Sequence, residues 1–320
     1  MHICVLSDFD LKEFDPSPFL RDYTWENFIP QRPVIDSIRA FAANKEFDVY
    51  FNLCEGADDI HEDYSGLEVI EALEQLNLPF TGANSRFYDP SREEMQAVAE
   101  ANGIGFARGV NVTTPDEVEA SVEGLRYPLM VKHPQSFGST GMTRNSRVDS
   151  LQKLREQTKR ICNRFGSARV EEFIEGNEFT VLVVDNPDDL ENPFVYPPAE
   201  LIFPAGEDFL HSRVKWKEWV YLKPVENKAL ASRLKDMVRR VYLAMDGVGY
   251  ARCDIRMGKD DRLYMIEINP NSGILFKPKD LGPADVVMEY DADGHAGFLD
   301  RIFRSAIIRN NAIISTANMK

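Results

Sequence analysis

The sequence predicts a mixed α/β and α+β protein in which an N-terminal open parallel sheet precedes antiparallel strand pairs. Over about the first eighty residues, apolar strand-like runs alternate with amphipathic helical stretches, the pattern of βαβ units. Farther on, two alternating runs, residues 250–256 and 263–269, flank a short polar stretch containing Gly258, the signature of an antiparallel hairpin. A chain of 320 residues has room for two or three structural units.

HICVLS (2–7) reads as a buried first strand, followed by a long loop rich in Asp, Pro and aromatics and a helix over 33–44. FDVYFNL (47–53) is a second strand, residues 64–77 have the three-and-four apolar spacing of a helix, and PFTG (79–82) supplies a short third strand. In such sheets ligands sit beyond the carboxyl ends of the strands. The loop leaving the second strand, CEGADDIHED, carries Glu55, Glu62 and Asp63. It reads equally as a ligand loop or as a solvated acidic loop ahead of a helix N-terminus.

A helix over 91–102 ends at Gly103, and a strand near 106–112 and a helix over 115–124 follow. The strand YPLMVKH (127–133) delivers Lys132 into PQSFGSTGM, where Gly138, Ser139, Thr140 and Gly141 can offer backbone N–H groups and hydroxyls to a phosphate. The GxxxxGK[ST] order of a P-loop is absent, and small-residue loops are common. After a helix over 149–164, residues 167–184 form two strands hinged at Glu175 and Gly176. Hinge backbone groups could hold an adenine there and a carboxylate a ribose, although a plain hairpin is the commoner meaning of such a segment. Residues 185–193 read as an acidic turn, 194–203 as a strand, and 206–219 as a polar loop over a site. A helix over 226–245 precedes the hairpin, and one over 296–309 ends the fold.

In the hairpin, period-2 geometry puts Arg252, Asp254 and Arg256 on one face and Ala251, Cys253 and Ile255 on the other. A turn centred between Asp260 and Asp261 sets Asp254 opposite Glu267 and Arg252 opposite Asn269. Facing side chains lie roughly 5 Å apart at Cβ, so Asp254, Glu267 and Asn269 converge. Two carboxylates and an amide, with no His or Cys beside them, suit Mg²⁺ completed by phosphates and water. The competing meaning is ion pairing of Asp254 and Glu267 with Arg252 and Arg256.

A net charge of −15 and a pI near 4.9 leave no general basic surface for nucleic acid or anionic membrane. Cys4, Cys54, Cys162 and Cys253 form no CxxC and sit mostly in apolar runs, as buried free thiols do. With no signal-like N-terminus and no apolar run of membrane-spanning length, the expectation is a soluble cytoplasmic protein.

The ordered set VKHPQSFGSTGM, EEFIEGNEFTV, ARCDIR and MIEINPNSG resembles the ATP-grasp superfamily, and within it the D-alanine-D-alanine ligase-like branch. FNLCEG, the Glu62-Asp63 pair and PFTG extend the resemblance over nearly the whole chain. It implies a pre-ATP-grasp α/β domain at 1–84, then two α+β subdomains, a central one at 85–175 and a C-terminal one at 176–320. The implied activity is ATP-dependent ligation of a small carboxylate or amino acid to an amine through an acylphosphate. The alternatives are an inactive ATP-binding regulatory module and a kinase that stops at phosphoryl transfer.

By the same resemblance, Lys132, Gly138, Ser139, Thr140 and Lys215 contact ATP phosphates, Glu171, Glu172, Phe173 and Ile174 form the adenine hinge, and Glu178 binds ribose. Asp254, Glu267 and Asn269 hold Mg²⁺, a pair of ions for which Mn²⁺ can substitute, and Arg252 with the Gly273 N–H stabilises the oxyanion. Glu55, Glu62, Lys277 and Lys279 are candidates for substrate, and a homodimer is implied. The family's basic residue on the helix after the first domain has its replacement near Arg92 and Gln96, and around Pro278 and Lys279 a Ser-Leu pair is missing. The first departure implies a different set of phosphate contacts, and the second points to another substrate pair.

Overall fold

The computed structural model describes residues 1–7, 14–54, 66–135, 139–217, 220–277 and 281–318, without the side chains of 215–217 and 316–318. The N-terminal unit runs β1 (His2–Leu6), β2 (Thr24–Phe28), α1 (Val34–Ala42), β3 (Val49–Asn52) and α2 (Gly66–Gln75). Its strands are parallel in the order β2-β1-β3, and Phe80 of PFTG adds a parallel bridge to Tyr50. β2 lies in the stretch read as loop. TWENF carries no apolar run and stands half exposed at the sheet edge, so β1 rather than its own sequence makes it a strand.

Next in the chain comes α3 (Arg92–Ala101), whose Met95 and Ala99 pack in the core of the hairpin sheet, and then the central unit of β4 (Gly109–Val112), α4 (Val118–Ser121), β5 (Leu129–Lys132), β6 (Arg147–Val148), α5 (Leu151–Phe165) and β7 (Ala168–Glu172). Ser91 caps α3, its Oγ accepting the Glu94 N–H at 3.1 Å. The sheet is antiparallel in the order β4-β7-β5-β6, and α5 covers one face with Leu154, Thr158, Ile161 and Cys162. That spacing of four, three and one is the buried stripe of an amphipathic helix.

The third unit continues with β8 (Gly176–Val184), β9 (Phe194–Val195), β10 (Ala199–Ile202), α6 (Ser212–Lys217), β11 (Tyr221–Pro224), α7 (Lys228–Ala244), β12 (Tyr250–Gly258), β13 (Leu263–Pro270), α8 (Pro283–Glu289) and α9 (Gly294–Asn318). Its sheet runs β11-β10-β8-β12-β13, with β9 beside β8. β8 is buried on both faces. Phe179, Val181 and Val183 pack with Leu234, Val238 and Val241 of α7, while Leu182 and Val184 join Phe298 and Phe303 of α9 and Ile3, Val5 and Phe51 of the first sheet. Fully burying each such side chain is worth about 1.5–3 kcal/mol, and the shared core fixes the N-terminal sheet against the hairpin sheet.

Several expectations are corrected. Residues 194–203 break at Pro197 and Pro198 into β9 and β10, because proline cannot donate to a ladder. The segment 206–219 is more than a polar loop: it contains α6, and Phe209, His211 and Val214 are buried. β6, β11 and α8 lacked a sequence signal, the two strands being very short or largely exposed. The strands flanking Glu175 and Gly176 are no hairpin, since β7 and β8 belong to different sheets. Gly176, at φ 151°, has no room for a side chain: a Cβ there would stand 1.9 Å from the Met257 carbonyl oxygen. All four cysteines are free and buried. Among the described residues no helix is long and apolar enough to cross a membrane.

Candidate active site

β12 and β13 pair with Arg252 opposite Asn269 and Asp254 opposite Glu267, the register read from the sequence. Beyond that pair the register shifts, Ile255 facing Met265, so Ile266 is an extra residue on β13. Asn269 Nδ2 lies 3.2 Å from Asp254 Oδ2 and 3.3 Å from Glu267 Oε1, so the three side chains meet at one point. Thr180 on β8 donates to Asp254 Oδ1 at 2.8 Å and holds that carboxylate from the neighbouring strand. Two carboxylates and an amide are the donor set a hard divalent cation takes. No group of three or more His, Cys, Asp or Glu suited to a metal occurs among the described residues, so phosphate or water oxygens would have to complete such a shell.

Cations surround this point. Arg252 grips Asp254 with Nε at 3.1 Å and Nη2 at 2.9 Å, so ion pairing is realised at that carboxylate. The expected partner Arg256 turns instead to Glu178, and Glu267 takes Arg92 of α3 at 2.7 Å. Arg92 is buried, and the next turn of the same helix face sends Gln96 to Arg169. The helix therefore does present a basic residue to the site. Its signal was the pairing of Arg92 and Gln96 four residues apart just inside the Ser91 cap.

Lys132, at the end of β5, pairs with Glu171 of β7, and Arg169 stands 3.4 Å from the same carboxylate. Burial, helped by Arg92, lowers the Lys132 pKa to about 8 against the pull of Glu171. Burial works to raise Glu171, but Lys132, Arg92 and Arg169 together hold it below the usual carboxylate range. Burial opposes ionisation of Glu267 too, yet Arg92, Lys132 and Arg252 bring it down to about 2. Lys132 and Glu171, assigned by resemblance to opposite ends of a nucleotide, are thus one ion pair, which neither motif alone reveals.

At the hinge the Glu172 carboxylate turns to Arg126 at 2.8 Å. The N–H groups of Glu172 and Phe173 are already bonded to the carbonyls of Arg108 and Pro128. Two guanidiniums stand over the Phe173 ring, Arg256 4.5 Å and Arg147 4.6 Å from its centroid. Ser139, at φ 62°, donates from Oγ to the Leu210 carbonyl at 3.4 Å, and Ser212 Oγ donates to the Met142 carbonyl at 2.6 Å. Arg144 pairs with Glu207, which also meets His211 at 3.0 Å, so the Ser139–Gly141 turn is tied to the α6 segment. Thr140 sits in that turn; Gly138 and the Lys215 side chain lie outside the described residues.

The turn bearing Gly273 is pinned to the N-terminal unit by Asn271, whose Oδ1 accepts the Ala83 N–H at 2.7 Å. A small pocket of about 10 Å³ lies there, lined by Gly273, Ile274 and Asn271 on one side and by Asn52, Leu53 and Cys54 on the other. The latter three stand at the carboxyl end of β3, where a parallel sheet is expected to take its ligand. Asn52 Nδ2 and Asn271 Nδ2 are buried with no hydrogen-bond partner among the described residues. Asn52 lies within FNLCEG, but the resemblance gave it no role. Lys277 lies just past this pocket, and the Leu275 and Phe276 N–H groups before it bond to buried Asp285 at 2.7 and 3.2 Å. Glu55, Glu62, Asp63, Pro278 and Lys279 fall outside the described residues.

A parallel α/β unit followed by two antiparallel α+β units, with cationic side chains and a carboxylate pair gathered between their sheets, is the ATP-grasp fold. Within it, the family model described as D-ala D-ala ligase C-terminus matches residues 97–275, over half of the chain, and the chain belongs to that family. The D-alanine–D-alanine ligase of Haemophilus influenzae (strain PittEE) is 28% identical over 240 residues, covering 71% of this chain and 74% of that protein. That of Actinobacillus succinogenes is 27% identical over 212 residues, and the match spans 63% of this chain and 65% of the relative's length. The D-alanine-D-alanine ligase structure from Coxiella burnetii superposes with a TM-score of 0.72 over 100% of this chain and 97% of that one, at 15% identity. The Bacillus anthracis enzyme complexed with ATP gives a TM-score of 0.70 at 17% identity, covering 98% and 99% of the two chains. At these identities the two structures speak for the fold alone.

Proposed function

We propose that the protein is an ATP-dependent ligase joining a small carboxylate or amino acid to an amine through an acylphosphate, with release of ADP and phosphate. The observation that carries this reading is the convergence of Asp254, Glu267 and Asn269 with Arg252 and Arg92 on the hairpin. The names of the relatives and the ATP bound in one structural neighbour support it.

The donor set fits Mg²⁺, which Asp254, Glu267 and Asn269 would hold and which would offset phosphate charge during transfer. Lys132 and Arg92, both buried, supply positive charge that water does not screen, for the phosphoryl group as it moves. Glu171 keeps Lys132 in place until a phosphate competes for it. Arg252, held by Asp254, lies toward the Gly273 end of the hairpin, where it and a backbone N–H can receive the oxyanion formed when the amine attacks. The Ser139–Gly141 turn and the α6 segment, tied together, would close as one cover and keep water from the acylphosphate. Ile174 and Glu178 would take adenine and ribose, Lys277 or Lys279 an anionic acceptor, and the working form would be a cytoplasmic homodimer.

The test is a screen of amino acids and small carboxylates for ATP-dependent phosphate release, with mass detection of the amide. Hydroxylamine should trap a hydroxamate from the carboxylate substrate and ATP alone. A stable phosphorylated product with no amide from any amine would make the protein a kinase.

A further inference from the structure

Arg256 is a buried cation that the reaction above leaves without a role. It is 4% exposed, and the β8–β12 register sets it directly opposite Glu178, which is 5% exposed. Its Nε and Nη2 both donate to Glu178 Oε2, at 3.0 and 2.8 Å. Nη1 donates to the Ile174 carbonyl at 2.8 Å, and Nη2 also reaches the Asp208 carbonyl. The guanidinium centre lies 4.5 Å from the Phe173 ring centroid. One planar fork therefore joins the hinge residue Ile174, the aromatic Phe173, the segment before α6 and the carboxylate on β8.

We propose that Arg256 is a positioning residue for the nucleotide, presenting Glu178 to the ribose hydroxyls and so setting selectivity for ribonucleotides over 2′-deoxyribonucleotides. The inference rests on the ligase reading, in which Glu178 takes the ribose. Two N–H groups on one oxygen fix the carboxylate and leave Oε1 as the acceptor. Burial raises the Glu178 pKa above the usual carboxylate value, with Arg256 opposing the rise. A fixed acceptor oxygen in a dry site discriminates strongly, because a nucleotide lacking the hydroxyl leaves a buried acceptor unpaired. Lysine could keep the charge but not the fork, so Arg256→Lys and Arg256→Met separate orientation from charge.

The experiment is calorimetric titration of the full chain, with Mg²⁺ present, using ATP and 2′-deoxy-ATP. The wild type should prefer ATP about tenfold or more, the size expected for a hydrogen bond to a charged group. In Arg256→Met the preference should collapse to within about threefold, and Arg256→Lys should restore little of it. Where the Met variant does not fold, the Lys variant is judged by the same ratio. A variant that keeps the wild-type preference overturns the proposal, since Arg256 is then only packing. Tighter ATP binding by the Met variant overturns it as well, the guanidinium then occupying nucleotide space. A wild type that binds both nucleotides equally removes Glu178 from the ribose and defeats this inference alone. Failure of the wild type to bind either nucleotide defeats the ligase reading itself.

Discussion

The two ends of the site are built from different materials. Along β12 and β13 each buried charge is answered by another: Asp254 by Arg252, Glu267 by Arg92, Glu178 by Arg256, and beside them Glu171 by Lys132. At the carboxyl end of β3 the buried polar atoms are neutral amides, and Asn52 Nδ2 and Asn271 Nδ2 have no partner among the described residues. Pairing offsets much of the desolvation cost of buried charges, which can then be lent to a phosphate or a metal. Unpartnered amides cost something until a ligand or water satisfies them. On the proposed function the first end would serve phosphoryl transfer and the second would lie beside the substrate.

The largest effect is expected at Glu267. Glu267→Gln removes a carboxylate from the metal donor set, several kcal/mol of charge stabilisation, so ADP release should fall at least about a hundredfold. Circular dichroism should stay that of the wild type. Near-normal turnover would leave the hairpin as a structural ion-pair network. Its stability should also titrate differently. Glu267 has a folded pKa of about 2 against an ordinary 4.5, so its contribution is complete above pH 4.5 and lost as pH falls from there toward 2. Urea midpoints of the Gln variant should lack that acid slope.

Next comes the Lys132–Glu171 pair. Breaking a buried ion pair from one side typically costs about 3–5 kcal/mol. Lys132→Met should therefore lower the urea midpoint clearly, with Arg169 softening the loss. The double variant Lys132→Met/Glu171→Gln should recover most of the stability and none of the turnover. Recovery of both would deny the lysine a chemical role.

A smaller effect is expected with pH. Burial lowers Lys132 from 10.5 to about 8, so its folded-state penalty is complete below pH 8 and is relieved as pH rises from about 8 to 10.5, while the cation that meets ATP is lost as pH passes through about 8. The kcat/KM for ATP should fall above about pH 8. Lys132→Arg should move that limb upward. A limb that ignores the substitution belongs to another group.

The smallest change tests the neutral end. Asn52→Ala should raise KM for the carboxylate substrate by up to about tenfold, one hydrogen bond's worth, with KM for ATP unchanged. An unchanged KM would mean that water, not substrate, satisfies Asn52.

How much of this was legible depended on how local the signal was. The parallel N-terminal sheet, the hairpin and the shared face of Asp254, Glu267 and Asn269 follow from period-2 alternation, which neighbouring residues carry, whereas the turn centres on Asp260 rather than between Asp260 and Asp261 and the extra residue Ile266 restores the Asp254–Glu267 pairing. Helices α3, α5 and α7 show their caps and apolar stripes in the same way. The edge strand β2, the tiny β6 and the assignment of β7 and β8 to separate sheets have no such mark, because partners distant in sequence made those choices.

For the site, the sequence by itself determined the residue types that can do phosphoryl chemistry and their faces on each strand. Only the tertiary structure decided which of them touch. Arg92 reaches Glu267 across 175 residues of chain, and Arg256 leaves its neighbour Asp254 to meet Glu178, 78 residues away. Asn52 becomes part of a pocket because the Gly273 turn is pinned against the end of β3. Periodicity records which way a side chain points. Coulomb attraction and desolvation, acting between units that pack only in the finished fold, select its partner.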